Sequence, residues 1–270
     1  MNNGDFAIGP VVFLAWIVVA LYGIVPLLVF ATNRMEPRKK LEEFDPDDPD
    51  LSARFTREAK LTRQALEALG FELLSGLFLP SITKQVKLIV LLFTNRQSNV
   101  GATINLVYLN RSRGNNWKLR QQFVMYTSRF RDGTAIATLH SKDLSAFPPR
   151  PRVLVTNLPT KLPPSRLLAI HQGLQRRLTS SAPYSRIEEE FGGDVLKAFA
   201  TQVNEEFSDF VTAGYLRPPR EDVYRFTLKG AFLVIWKQFW PWGWIRRLQA
   251  RAYERQLLEE FAAELPMEEN

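Results

Sequence analysis

Twenty-eight consecutive residues, Phe6 to Asn33, carry no charged side chain. A helix rises about 1.5 Å per residue and a bilayer core is about 30 Å thick, so about 20 apolar residues span it. The stretch predicts a transmembrane helix, with length to spare for tilt or fraying at Gly9-Pro10. A cleaved signal peptide fits less well. The residues ahead, Met-Asn-Asn-Gly-Asp, hold no Lys or Arg, and Val29-Phe30-Ala31-Thr32 makes a poor cleavage site. A helix buried in a globular core is the remaining reading. Trp16, Tyr22 and Phe30 fit a lipid-facing helix without requiring one.

Flanking charge sets the expected orientation. Arg34, Arg38, Lys39 and Lys40 follow the stretch, and only the α-amino group precedes it. By the positive-inside rule this predicts a single-pass cell-membrane protein, its amino end outside and the rest cytoplasmic. The absence of cysteine agrees with that compartment.

Residues 34–50 read as a linker, basic at first and then acidic, with Pro46 and Pro49 favouring extended backbone. Asp45, Asp47, Asp48 and Asp50 could offer oxygen to a metal. The turning glycine and the bidentate glutamate of a calcium loop are missing, so a solvated spacer leading to a helix cap is expected.

Residues 51–227 predict one α+β domain, an antiparallel β-meander packed with helices. Phe55, Ala59, Thr62, Leu66 and Leu69 recur at helical spacing up to Gly70. The period then changes. β-rich runs at 71–79, 85–94, 101–109, 119–129 and 134–139 are separated by turn signals, of which Asp132-Gly133 is the clearest hairpin turn. Short turns between consecutive strands imply antiparallel pairing against at least one helix. Helical patterns return from Pro163-Pro164 to Leu178, and over 185–214 with an interruption at Gly192-Gly193.

Charge is segregated. Between Arg111 and Arg186 stand 14 Lys and Arg against two acids, Asp132 and Asp143. From Glu188 to Asp209 there are seven acids and one lysine, Lys197. Uncompensated, a basic sheet would attract anionic headgroups or nucleic acid; compensated, the two segments neutralise each other within the fold.

Residues 228–262 form an aromatic and basic helical segment, read as a C-terminal amphipathic helix. Trp236, Trp240, Trp242 and Trp244 are four of the six tryptophans, and Arg246, Arg247, Arg251 and Arg255 follow. As a membrane span the segment is short, with Lys237 at its centre costing about 2.5–3.5 kcal/mol. Lying in an interface suits it better, because indoles favour the headgroup level and lysine can snorkel. The candidate interface residues are Trp236, Lys237, Phe239, Trp240, Trp242, Trp244, Arg246 and Arg247.

Catalytic signatures are lacking. The two histidines are His140, in His140-Ser141-Lys142-Asp143, and His171, among Leu167, Leu168, Ile170 and Leu174. Adjacent residues on a strand or turn point apart, so the first set reads as loop chemistry; the second reads as a packed or surface histidine. No phosphate-cradling glycine loop or nucleophile elbow occurs, and no cofactor or metal is expected.

Gly214-Tyr215-Leu216 followed by Val223 to Gly230 resembles the wing hairpin of winged-helix DNA-binding domains, in which a basic strand ends in Thr-x-x-Gly before a helix. That resemblance implies nucleic-acid binding. The preceding helix is acidic where phosphate demands Lys and Arg, so nucleic acid is not the expected partner. The expected function is a membrane-held interaction or scaffold domain without enzymatic activity. Its expected partner is a lipid bilayer with anionic headgroups, a protein partner coming second. The runner-up is a module binding a lipid or small apolar ligand.

Overall fold

Alternation of apolar and polar residues, broken by tight turns, builds the centre of the molecule. The computed structural model describes residues 12–13, 16, 19–35, 41–47, 57–79, 86–110, 117–141, 147–178, 181–238 and 241–266. It is an α+β fold with antiparallel-rich sheets. In chain order, a π-helical turn (Ala20–Ile24) leads into α1 (Val25–Thr32), β1 (Arg34–Met35) and β2 (Glu42–Phe44). Then come α2 (Arg57–Ala68), β3 (Glu72–Leu79), β4 (Val86–Asn95), β5 (Val100–Asn110), β6 (Trp117–Phe130), β7 (Ala135–His140) and β8 (Val153–Leu158). The remainder is α3 (Pro164–Leu178), β9 (Pro183–Tyr184), α4 (Arg186–Phe191), α5 (Val195–Thr212), β10 (Tyr224–Arg225), α6 (Leu228–Gln238) and α7 (Trp242–Glu260).

Strands β2 to β8 lie side by side in sequence order, antiparallel throughout except for β7 and β8, which run parallel. The β6–β7 hairpin turns through Asp132-Gly133 as its sequence predicts. Gly133 takes φ 83°, and the Thr134 amide donates to the Asp132 carboxylate. Sequence reasoning missed β8, which follows a proline-rich loop, and β2. The latter pairs with β3 and lays the Phe44 ring over Gly76, where a Cβ would collide with it.

The pleat sorts residues to two faces. On one, Leu91, Phe93, Ile104, Leu106, Val124 and Tyr126 bury against Leu66 of α2, Leu167, Ile170 and Leu174 of α3, and Leu257 of α7. On the other, Leu77, Val90 and Leu92 meet Val195, with Ile187, Leu196 and Phe199 packed against them. Gly192 and Gly193, both at positive φ, end α4, and Asp194 caps α5 by accepting from the Lys197 amide.

The acidic and basic segments meet each other. Arg186 grips Glu190 and Glu205, Arg131 pairs with Glu189, Arg96 with Glu188 and Arg150 with Asp209. Of the acidic segment, Glu188, Glu189, Glu190, Glu205 and Asp209 are therefore paired within the fold.

The transmembrane reading is overturned. Among the described residues no helix is long and apolar enough to cross a membrane. The single-pass topology and the cell-membrane localisation built on it fall with that helix. Residues 6–11, 14, 15, 17 and 18 of the apolar stretch lie outside the described residues. Its second half divides into the π-helical turn and the eight-residue α1. Val29 and Phe30 pack against a cluster of Phe207, Leu216, Tyr224, Phe226 and Ala231, so protein covers part of the surface that reads as lipid-facing. Immediately after it, β1 pairs with β10.

Candidate functional site

Thr227 and Gly230 fix how the C-terminal helices leave the domain. The Thr227 hydroxyl donates to the Gly214 carbonyl and accepts from the Gly230 amide, closing the first turn of α6. Any Cβ at Gly230 would collide with the Tyr215 carbonyl oxygen. The Thr-x-x-Gly pattern that resembles a wing is, in this molecule, a helix cap plus a close backbone approach. The hairpin itself is present, with Leu216 opposite Phe226. Its outer strand β10 pairs with β1 from the N-terminal segment.

From this corner α6 presents two apolar stripes. Ala231 and Ile235 face inward and are buried. Leu228, Phe232 and Trp236, spaced four apart, face outward and are exposed, Trp236 by 49%. Pro241 stands just ahead of α7, which begins with Trp242 and Trp244, the latter 56% exposed, followed one turn later by exposed Leu248. The Trp236 and Trp242 rings meet edge to face at 5.8 Å. The N-terminal segment lies alongside, packing on α6 and exposing Ile24, Leu27 and Leu28. Tyr22, Pro26, Phe232, Trp236, Pro241 and Trp242 line a groove of about 360 Å³ between them.

Basic groups rim this surface. Arg246 reaches the Lys237 carbonyl at 3.5 Å. Burial, then the Arg246 charge, holds the Lys237 ammonium below its usual pKa, and burial does the same to Arg246. Arg247 is exposed. Of the eight interface residues expected from sequence, Trp236 meets Trp242 and Lys237 meets Arg246, Trp244 and Arg247 are exposed on the first turns of α7, and Phe239 and Trp240 lie outside the described residues. The sequence pattern missed Tyr22, Pro26 and the exposed aliphatic residues of α1, because nothing local says that α1 docks on α6.

The far end of α7 has a different task. The Glu254 carboxylate accepts from the Thr160 amide and hydroxyl at 3.0 and 2.9 Å, and Leu257 and Phe261 enter the main core. Phe261 occupies the space that Gly173 leaves open in α3. The segment expected as one amphipathic helix is two helices, one end anchored in the domain.

The histidines do not assemble catalytic chemistry. His171 is fully buried under the sheet. Its Nε2 meets the Ser128 hydroxyl and its Nδ1 the Thr138 hydroxyl, both at 2.9 Å, with Gln175 bonded to Ser128. Desolvation pushes its pKa down to about 3, so the ring is neutral and serves as a polar brace. His140 lines a hollow of about 350 Å³ with Gln122 and the Lys161–Glu58 ion pair. Burial and then the Lys161 charge lower its pKa to about 4. Ser141 bonds Gln121 instead of His140; Lys142 and Asp143 lie outside the described residues. Asp47 turns back on Asp45 and pairs with Arg63, and among the described residues no three acidic, His or Cys side chains gather to hold a metal.

No protein-family model, curated protein or solved structure matches this chain. The functional reading therefore rests on the residues themselves.

Proposed function

We propose that this chain is a non-enzymatic interaction domain that lies on an anionic lipid surface through the outward face of α6 and the start of α7. The observation carrying the reading is the second apolar stripe of α6, Leu228, Phe232 and Trp236, which Trp242 extends by meeting Trp236 edge to face. Monomeric proteins seldom expose contiguous patches of this kind without a partner. Two touching indoles, Trp236 and Trp242, with a third, Trp244, exposed on α7, suit the headgroup level, where a ring can be half dry and half wet. Lys237, Arg246 and Arg247 beside them complement anionic headgroups, and long basic side chains can lie along the apolar surface with their charge in water. Such a helix pair rests on the lipid and does not cross it.

The test is flotation of the full chain with vesicles of phosphatidylcholine, with and without phosphatidylserine. Attachment should require phosphatidylserine and should fall at least tenfold in a Trp236→Ala/Trp244→Ala double variant. A chain that stays in solution with both vesicle types, or attaches equally well without the two indoles, overturns the reading.

The groove lined by Tyr22, Phe232, Trp236 and Trp242 favours a second reading, capture of a small apolar ligand. Its volume of about 360 Å³ lies within the range of small-molecule sites. An apolar fluorophore should then quench the tryptophans in solution, and Phe232→Ser should abolish the quenching. Quenching that survives this substitution overturns it.

A further inference from the structure

Where β1 meets β10, three arginines fall in one row. Arg34 stands directly opposite Arg225 in the antiparallel pair, and the Arg217 amide donates to the Arg225 carbonyl across the adjoining hairpin. On this ribbon the neighbouring Met35 and Tyr224 turn inward to the apolar cluster, so Arg34 and Arg225 share the outer face. Like charges directly opposite on paired strands destabilise the pairing. A fourth arginine, Arg220, comes from the turn that closes the hairpin.

The four arginines line a hollow of about 680 Å³ with Pro218, Pro219 and Val223 and, among the described residues, one acid, Glu221. Among the described residues none of the four forms a salt bridge. This contrasts with Arg63, Arg131, Arg150, Arg177 and Arg186 elsewhere on the surface, each of which has found a carboxylate. Arg217 is also held in place: its guanidinium lies 4.6 Å from the centre of the Phe30 ring, at the end of α1.

We propose that this hollow binds a phosphate group. Guanidinium forks match phosphate oxygens two at a time, and a dianion among the four would turn mutual repulsion into attraction. The concave shape favours a single phosphorylated group over the extended backbone of a nucleic acid. The phosphate could be free in solution or carried on a lipid headgroup. The inference stands on the arginine row and does not need the aromatic face to contact lipid.

Titration calorimetry on the full chain tests it with inorganic phosphate, then with phosphatidylcholine vesicles containing phosphatidic acid. Arg225→Gln and, separately, Arg217→Gln should each weaken phosphate binding at least tenfold, and Arg225→Lys should fall between Arg225→Gln and the unaltered chain. Saturable binding of inorganic phosphate assigns a free ligand; binding seen with the phosphatidic acid vesicles alone, and lost in Arg225→Gln, assigns the headgroup. Trp244→Ala should leave binding of inorganic phosphate within twofold while weakening vesicle attachment, which separates this site from the aromatic one. Binding that ignores both glutamine substitutions, that is absent in both arms, or that duplex DNA displaces at lower concentration than phosphate does, overturns the proposal.

Discussion

Beneath the sheet, Leu91, Ile104 and Leu167 have lost almost all contact with water, whereas along α6 and α7 Phe232, Trp236 and Trp244 keep much of theirs. The two regions use the same class of side chain under different constraints. In the first, these large apolar residues are closed in by neighbours on all sides, and His171 has a partner at each ring nitrogen. In the second, one stripe of a helix is enough to hold it, and the other stripe is left over. Apolar surface contributes to folding stability only where water is removed from it, at about 25 cal/mol per Å². The leftover stripe therefore adds little to the stability of the fold.

The largest expected effect lies in the core. Ile104→Ala should cost about 2–5 kcal/mol, read from the urea midpoint, because the cavity cannot collapse between a sheet and three helices. A loss below 1 kcal/mol would mean that the sheet core is looser than the contrast requires.

Acid comes next. His171 and His140 have folded pKa values depressed to about 3 and about 4, against 6.5 when unfolded. Their contribution is complete above pH 6.5 and is lost as pH falls toward those values, because the unfolded chain takes up protons that the folded chain refuses. At about 1.4 kcal/mol per pKa unit, His171 alone accounts for a few kcal/mol by pH 4. Chemical denaturation at pH 7 and pH 4.5 should show a smaller drop for His171→Gln than for the unaltered chain. Equal drops would place His171 in water.

Gly230→Ala is expected to lose about 1–3 kcal/mol, as Tyr215 and the start of α6 must shift apart. Smallest of all, Trp244→Ala should change stability by less than about 0.5 kcal/mol, since its ring is largely in water already. A large loss there would erase the distinction between the two regions.

The central meander was legible because its strands are long, consecutive and separated by turn residues with defined geometry, as at Asp132-Gly133. Strand β8 was not. Val153–Leu158 follows a loop rich in proline, and its partner β7 is parallel, so no hairpin signal joins them. Strand β2 hides in an acidic run, and its one large apolar side chain, Phe44, lies over Gly76 of β3. The reading of the first apolar stretch failed for a more general reason. Hydropathy reports that a surface avoids water, and both hydrocarbon and a facing protein helix satisfy it. Only the docking of Val29 and Phe30 beside α6 distinguishes them. In the candidate site the tryptophans were visible as composition, whereas the arginine row was invisible. Arg34 and Arg225 become neighbours only through pairing of strands far apart in the chain.

The reach of Glu254 to Thr160 sets a schedule for synthesis. These two residues lie 94 positions apart, and the helix bearing Glu254 also brings Phe261 to fill the notch at Gly173. At about 5–20 residues per second, a growing chain waits on the order of 5–20 s with that side of α3 uncovered. During this interval the nascent polypeptide offers a greasy helix flank to any chaperone at the exit tunnel. Ribosome-bound chains halted ahead of Trp242 should be nicked within α3 by added protease, and released full chains should resist.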